Sequence, residues 1–467
     1  MAISLCSSCY TAISEHLQDT QESEEYYQCC LCFGLLDPSI YQKIIEKTKE
    51  EYAQNRFDGK NFVLAVNFPV SQLLRELFIQ KIMDKTWNEM MMSPKSRLTY
   101  ILMAKFRQDG FLRPSLTGDL TLTVTFENSE FVQRDTDFFM CHKPAGFLNA
   151  GNRKRKQIDE EEITGLLTKV KVQNLVEQLS LDIIKAFTFT SPTKSLDVTV
   201  EFQRDLLHIG GRYCKFSRSL PQSPWTPNHE TPKILGNSVA EKVSQPMHEY
   251  FRCDSTKFIA SGREDIDVRM LGQGRPFAIV LQNARKWVEM YSKETREKAL
   301  KILKEKINAE NKDIQVGDLA VVTQKETQLL NVGQEEKKKI YTALCYSHQK
   351  ITEEMAKKLE AAMPVEINQL TPIRVLFRRP LLDRPRTIHA AKIQILDDHY
   401  FYLSVETQAG TYVKEFVHSD FGRTRPSVGT LLGFELTDGM SILELDVEGV
   451  DLEWPPCKKE VKAENGI

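Results

Sequence analysis

The sequence predicts an α+β protein of more than one domain, and three observations carry that prediction. In the first half, short segments with period-two alternation are interleaved with segments of helical apolar spacing. From about residue 236 to 455 strand-like segments dominate, with few helices between them. The chain has 467 residues, more than one ordinary hydrophobic core spans, so two or three domains are expected.

The elements follow in order. Ile40, Tyr41, Ile44, Ile45 and Tyr52 recur at helical spacing. Asn61–Phe68 reads as a strand ending at Pro69, and Leu73, Leu74, Leu77, Phe78 and Ile82 mark an amphipathic helix. Leu120–Phe126 alternates as a strand, Glu160–Phe187 is helical in pattern, and Leu196–Phe202 alternates again. Pro221, Pro224, Pro227 and Pro232 mark a linker near a domain boundary. In the second half, strands are expected over Phe277–Leu281, Val316–Val322, Tyr341–Cys345, Thr387–Leu396 and Tyr400–Val405, and helices over Glu294–Ile307 and Glu353–Met363. A further helix is expected to begin near Thr411, a good N-cap residue that would place Lys414 in the first turn.

Composition narrows the class of protein. With 41% hydrophobic and 27% charged residues the chain is of ordinary globular type. No segment has the roughly 18 uncharged apolar residues of a membrane span. The N-terminus lacks the basic region of a secretory signal, so an intracellular protein, nuclear or cytoplasmic, is expected. A net charge of −2 does not by itself favour a polyanionic partner, although a local face can still be basic. Arg153-Lys154-Arg155-Lys156 is such a basic run, either a nuclear address or a solvated loop.

Five of the ten cysteines fall within the first 32 residues. Cys6-x-x-Cys9 and Cys29-x-x-Cys32 form two CxxC pairs of a spacing suited to one tetrahedral zinc ion. With no histidine placed to leave an open position, the metal is read as structural. Cys30 is a spare thiol inside the second pair. A chance cluster of buried thiols is the competing reading.

Three segments of the second half carry chemistry. Ser261-Gly262-Arg263-Glu264-Asp265-Ile266-Asp267-Val268-Arg269 is dense in paired charge and runs into the glycine-rich turn Gly272-Gln273-Gly274. At such a turn one ionised carboxylate can face a substrate while a neighbouring cation keeps it charged. Lys337-Lys338-Lys339-Ile340-Tyr341 sets a tyrosine behind a basic run, where a ring can lie beside a base and cations beside its phosphates. The third is Gly410-Thr411-Tyr412-Val413-Lys414-Glu415-Phe416-Val417-His418-Ser419-Asp420-Phe421-Gly422-Arg423-Thr424. Upstream, Gly210–Leu220 interleaves Arg212, Lys215 and Arg218 with Tyr213 and Phe216, a pattern that suits RNA phosphates and bases as well as a solvated strand face.

Together these segments resemble the Pus-ten type of tRNA pseudouridine synthase, strongly over about residues 206–456. The stretches Arg212-Tyr213 to Pro224-Trp225 and Leu443–Glu448 to Trp454-Pro455-Pro456 share in it. The first half matches loosely, its CxxC pairs resembling the family's zinc module and the following segment its THUMP-containing RNA-binding region. The resemblance implies a zinc module over 1–45, a THUMP-containing RNA-binding α+β domain over 46–235, and a mixed-sheet pseudouridine synthase catalytic domain over 236–467. It implies that Asp265 is the catalytic aspartate, that Tyr341 packs against the uracil, and that Lys414 is the basic residue paired with the aspartate. Asp267 is the rival, since two residues on in an extended segment it shares a face with Asp265. Arg263, Tyr412 and Arg423, with Arg212 and Lys215 from the ribbon, are the candidate substrate contacts. Phe421 and the segment Gln282-Asn283-Ala284-Arg285 depart from the family pattern without touching these roles.

The expected activity is isomerisation of uridine to pseudouridine in the tRNA T-loop, at positions 54 and 55 by tRNA convention. It calls for a structural zinc ion, no organic cofactor and no oligomer. The reaction needs an ionised carboxylate in a dry pocket, with a fixed cation countering the cost of desolvation. The uridine must be flipped out of its stack, which costs a few kcal/mol. An RNA-binding adaptor without chemistry would not require Asp265, Tyr341 and Lys414 together. Carboxylate-based glycoside hydrolysis would need two acids at a set separation.

Overall fold

A computed structural model describes residues 3–17, 19–86, 92–142, 167–225, 236–377, 379–435 and 439–456. The basic run Arg153–Lys156, Pro227 and Pro232 lie outside the described residues. The chain forms two compact units, Met1–Asp205 and Leu206–Ile467.

In the first unit the strands β1 (Ile3–Leu5) and β2 (Thr20–Glu22) pair in parallel beside the cysteines. A mixed four-stranded sheet has the order β4-β3-β5-β6, with β3 Asn61–Asn67, β4 Arg113–Ser115, β5 Leu120–Glu127 and β6 Asp197–Arg204. Period-two burial along β5 bears out the alternation read from the sequence. Helix Pro38–Asn55 starts where Asp37 accepts a hydrogen bond from the Ser39 N–H at 2.9 Å and Pro38 takes the first helical position. Helix Val70–Met83 contains the five apolar residues, Leu73 to Ile82, that marked it in the sequence.

The helix expected over Glu160–Phe187 is two short helices in its described part, Lys169–Gln178 and Leu181–Lys185. Leu179 is extended between them and the Ser180 hydroxyl caps the second, so a capping residue overrides continuous apolar spacing. Nor is the cysteine region a module apart. Cys6, Cys9, Cys29 and Cys32 belong to the same buried cluster as Phe62, Leu122 and Phe202 of the four-stranded sheet.

The second unit is built on a ten-stranded mixed sheet of order β10-β7-β9-β16-β11-β14-β13-β12-β15, with β8 paired to β9 off that path. Its strands are β7 Leu207–Lys215, β8 Ser255–Ala260, β9 Arg269–Gln282, β10 Ile314–Val322, β11 Lys339–Ser347, β12 Val365–Leu370, β13 Asp383–Ile395, β14 Tyr400–Thr407, β15 Thr424–Arg425 and β16 Met440–Val450. β9 and β16 pair in parallel at the sheet centre, whereas the other pairs are antiparallel. The glycine-rich turn expected after Arg269 is instead part of β9. Gly272 lets that strand pass β16, because a Cβ there would lie 2.0 Å from the Glu448 carbonyl oxygen.

The boundary expected between residues 235 and 236 falls earlier. β7 pairs with both β9 and β10, so its backbone ladder assigns it to the second unit. Thr411 is not the N-cap of the following helix. That helix is Val413–His418 with Tyr412 at the cap, and the Thr411 hydroxyl donates to the Gln408 carbonyl.

Candidate active site

The charge-dense loop 261–268 joins β8 to β9 and is held from beneath. Glu264, fully buried, accepts from Arg275 Nε at 2.7 Å and from the Tyr213 hydroxyl at 2.9 and 3.0 Å. Arg275 Nη1 also donates to the Ser261 carbonyl. Gln222 donates to the Tyr213 hydroxyl and to the Gly262 carbonyl. Burial, reinforced by the Glu264 charge, holds the Tyr213 hydroxyl well above its ordinary value, so it stays a donor.

Lys215 belongs to this support and not to an RNA-binding ribbon. It has no exposed surface, and its ammonium donates to the carbonyls of Leu220, Asp265 and Ile266 at 2.9, 3.1 and 2.9 Å. Burial pushes its pKa down to about 8, against the pull of Glu264 and Asp267. Arg212 is likewise turned inward, donating to the backbone carbonyls of Gln273, Leu452, Trp454 and Val450. β7 lies between two strands and is buried along nearly its whole length, so its cations satisfy backbone acceptors.

The loop lifts Asp265 into an open cavity of about 390 Å³. Arg263, Asp265, Lys339, Tyr341, Arg374, Tyr412 and Lys414 are among its lining residues. Thus Asp265, Tyr341 and Lys414 do come together, from a loop, from β11 and from the helix Val413–His418. Arg263 is exposed along the cavity, as its expected substrate contact requires. Tyr412 lines it too, its backbone held by Gln369 through both N–H and carbonyl, with the Arg374 and Arg384 guanidiniums each 5.9 Å from its ring. Arg423 does not line it. Its guanidinium donates to the Thr371 carbonyl and lies 3.5 Å from Asp420, bracing the loop after the helix.

The expected Lys414–Asp265 ion pair is present, but each partner also has a closer one. Lys414 Nζ donates to both Asp267 oxygens, at 2.6 and 2.8 Å, and stands 3.7 Å from Asp265. Burial alone would raise the Asp267 carboxyl, but the Lys414 ammonium, helped by Arg374, holds it below its ordinary range. Asp265 instead accepts from Arg374 Nη1 at 2.9 Å. Arg374 is anchored by the buried Glu415, which accepts from its Nε at 2.7 Å. Sequence reading missed Arg374, Glu415 and Arg275. Glu264 lies inside the charge-dense segment and Arg275 directly after the glycine-rich turn, but nothing in their spacing shows that they pair. Arg374 is 109 residues from Asp265, and no local pattern signals it.

Tyr341 sits two residues along β11 from Lys339, on the same face. Burial pushes its hydroxyl up to about 12, with Glu264 and Asp265 adding to the effect and Arg275 opposing it. The cavity thus combines a carboxylate held by a guanidinium, an aromatic ring with a retained proton, and cations at its wall. That set can position a flat polar ring against a nucleophile or base without redox chemistry.

In the first unit the Sγ atoms of Cys6, Cys9, Cys29 and Cys32, all buried, lie within 4.8 Å of one another. The Cys6–Cys32 separation is 3.7 Å. A tetrahedral ion with metal–sulfur bonds of roughly 2.3 Å sets its sulfurs about 3.8 Å apart, so the four thiols fit one metal ion. Cys30 stands apart, its thiol 3.6 Å from the Ser191 hydroxyl.

The family model described as Pus10, C-terminal, matches residues 208–451. A human protein described as tRNA pseudouridine synthase Pus10 is 34% identical over 442 residues, which is 92% of this chain and 79% of the relative. Its Xenopus laevis counterpart is 34% identical over 459 residues, 96% of this chain and 85% of the relative. A Thermofilum pendens protein of the same description is 37% identical over 256 residues, 54% of each chain. A solved Cbf5-Nop10-Gar1 complex aligns over 51% of this chain and 57% of that one, at 16% identity and a TM-score of 0.26. The chain belongs to the Pus10 family and is a pseudouridine synthase, an isomerase.

Proposed function

We infer that the enzyme converts uridine to pseudouridine in the tRNA T-loop, at positions 54 and 55 by tRNA convention, with Asp265 as the catalytic carboxylate. The observation that carries this reading is the convergence of Asp265, Tyr341 and Lys414 on one cavity. The flipped uracil lies against the Tyr341 ring. Arg374 and Lys414 set positive charge beside Asp265, and the 2.9 Å hydrogen bond from Arg374 fixes where its oxygen points. Tyr341 retains its proton through the working pH range, so the ring enters the reaction neutral. Arg263 and Arg379, both exposed beside the cavity, contact phosphates flanking the target. Exposed Leu376, Phe377 and Leu381, in the segment that carries Arg374, offer surfaces on which unstacked neighbouring bases rest.

The first unit serves as an RNA-binding domain of the THUMP type. A zinc ion held by Cys6, Cys9, Cys29 and Cys32 would supply structural cross-linking there, and the reaction itself uses no organic cofactor. The enzyme works as an intracellular monomer.

Site-resolved pseudouridine mapping on unmodified tRNA transcript tests this reading. Wild type is expected to modify the T-loop uridines. Asp265→Ala should lose activity while keeping tRNA affinity. An active Asp265→Ala, with Asp267→Ala dead, would move the catalytic role to Asp267.

A further inference from the structure

Among the described residues, one buried cation of the cavity lacks a counterpart. Arg275 pairs with Glu264, Lys414 with Asp267, and Arg374 with Asp265 and Glu415. Lys339 lines the same cavity and is 8% exposed, yet among the described residues no hydrogen bond or ion pair reaches its ammonium. Its neighbour Lys338 behaves as a surface lysine and pairs with Glu406 at 2.7 Å. Lys339 does not stand among the phosphate contacts expected of that basic run, because it points to the inward face of β11 with Tyr341, Ala343 and Cys345.

The surroundings make its position costly. Burial, with Arg275 adding to the effect, pushes the Lys339 pKa down to about 8. A Cβ at Gly262 would lie 3.0 Å from Arg275 Nη1 and 3.3 Å from Lys339 Nζ, so the two cations converge on the one residue of the loop without a side chain. A fold has no stability reason to keep a buried, unpaired ammonium beside a guanidinium. Such a group fits a site whose missing anion arrives with the substrate.

We propose that Lys339 donates a hydrogen bond to a carbonyl oxygen of the target uracil and stabilises the base as an anion while it is detached from the ribose. This rests on the proposed uridine isomerisation. When the N1–C1′ bond breaks, its electron pair stays on N1 and the charge spreads to O2 and O4. The Asp265 carboxylate balances the electron-poor sugar, either by bonding to a carbon or by taking a sugar proton. In the second half C5 supplies the pair that forms the C5–C1′ bond, the C5 proton leaves, and N1 takes up a proton. Electrons and atoms balance with no co-reactant. Two residues along a strand span about 7 Å, so a ring held by Tyr341 turns an edge toward Lys339. A donor at that edge acts on both the leaving and the rejoining base.

Single-turnover pseudouridine formation on unmodified tRNA transcript, with tRNA affinity and thermal midpoint measured on the same full-length preparations, tests the assignment. Lys339→Met should lower the single-turnover rate by roughly 100-fold or more, the loss seen when a preorganised donor to developing negative charge is removed. Its tRNA affinity should change by less than about threefold and its thermal midpoint should rise, because an uncompensated buried charge has gone. Lys339→Arg, which keeps charge and donors, should retain more activity than Lys339→Met. An unchanged rate in Lys339→Met, a rate loss no larger than the affinity loss, or equal loss in the two variants would overturn the role. Failure of the uridine reading is distinguishable, since wild type would then form no pseudouridine on tRNA.

Discussion

Arg374 donates through Nη1 to Oδ2 of Asp265 at 2.9 Å, and this contact aims the carboxylate across the cavity. The guanidinium is itself fixed at its other edge by Glu415, so Asp265 is held through a two-step chain. Displacing a reacting group by about 1 Å can cost on the order of 100-fold in rate. Arg374→Ala should therefore lower single-turnover pseudouridine formation by about that factor while tRNA binding weakens far less. Arg374→Lys cannot hold both carboxylates with one fork and should recover only part of the loss. A rate loss matched by an equal affinity loss would make Arg374 a phosphate contact.

Asp267 occupies Lys414 in the free protein, and the lysine is 3.7 Å from Asp265. Asp267→Asn should leave the chain active, with a rate change of no more than about tenfold in either direction. Asp265→Asn should be inactive. Both are read in the same single-turnover assay.

The pair Arg275–Glu264 is buried beneath the loop, with side-chain exposures of 1% and 0%. Removing one partner leaves the other charge uncompensated, which costs about 3–5 kcal/mol. Arg275→Met should lower the urea midpoint of the second unit accordingly and reduce activity through the displaced loop. A double change that removes both charges, Arg275→Met with Glu264→Gln, should recover part of the stability.

Lys215 gives a pH signature. Its folded pKa of about 8 lies below the ordinary 10.5, so the unfolded chain holds the proton more tightly. The stability it contributes is fully present above pH 10.5 and is lost as pH falls through about 8. Lys339, depressed to the same value by burial, acts in the same sense. Between pH 8 and 10 the unfolding free energy of wild type should rise relative to that of Lys215→Met and Lys339→Met. A pH-independent difference between wild type and both variants would refute the burial of these ammonium groups.

The four-cysteine cluster predicts one zinc ion per chain by elemental analysis, and loss of it in a Cys6→Ser/Cys9→Ser variant. That loss should lower the thermal midpoint of the first unit, whose core those cysteines share with Phe62, Leu122 and Phe202. Pseudouridine formation measured at saturating tRNA should fall less than tRNA affinity. Equal metal content in wild type and variant would remove the site.

What the sequence alone determined is what depends on local spacing. Period-two alternation marked β5 and β6, and helical apolar spacing marked the helices Pro38–Asn55 and Val70–Met83. Two CxxC pairs announced a site for one metal ion, whereas it was the family resemblance of the motifs around Asp265, Tyr341 and Lys414 that implied a shared site. Tertiary structure decided how the charges are used. Arg212 and Lys215 read as RNA contacts, but β7 lies between two strands, so their donors serve buried carbonyls. Lys414 was expected on Asp265 and meets Asp267 more closely, because a loop and a helix far apart in sequence set that distance. Arg374 has no local signature at all. A charged side chain looks the same in sequence whether water, a carboxylate or a substrate is its partner. Burial and distance make that choice, and they exist only once the chain has folded.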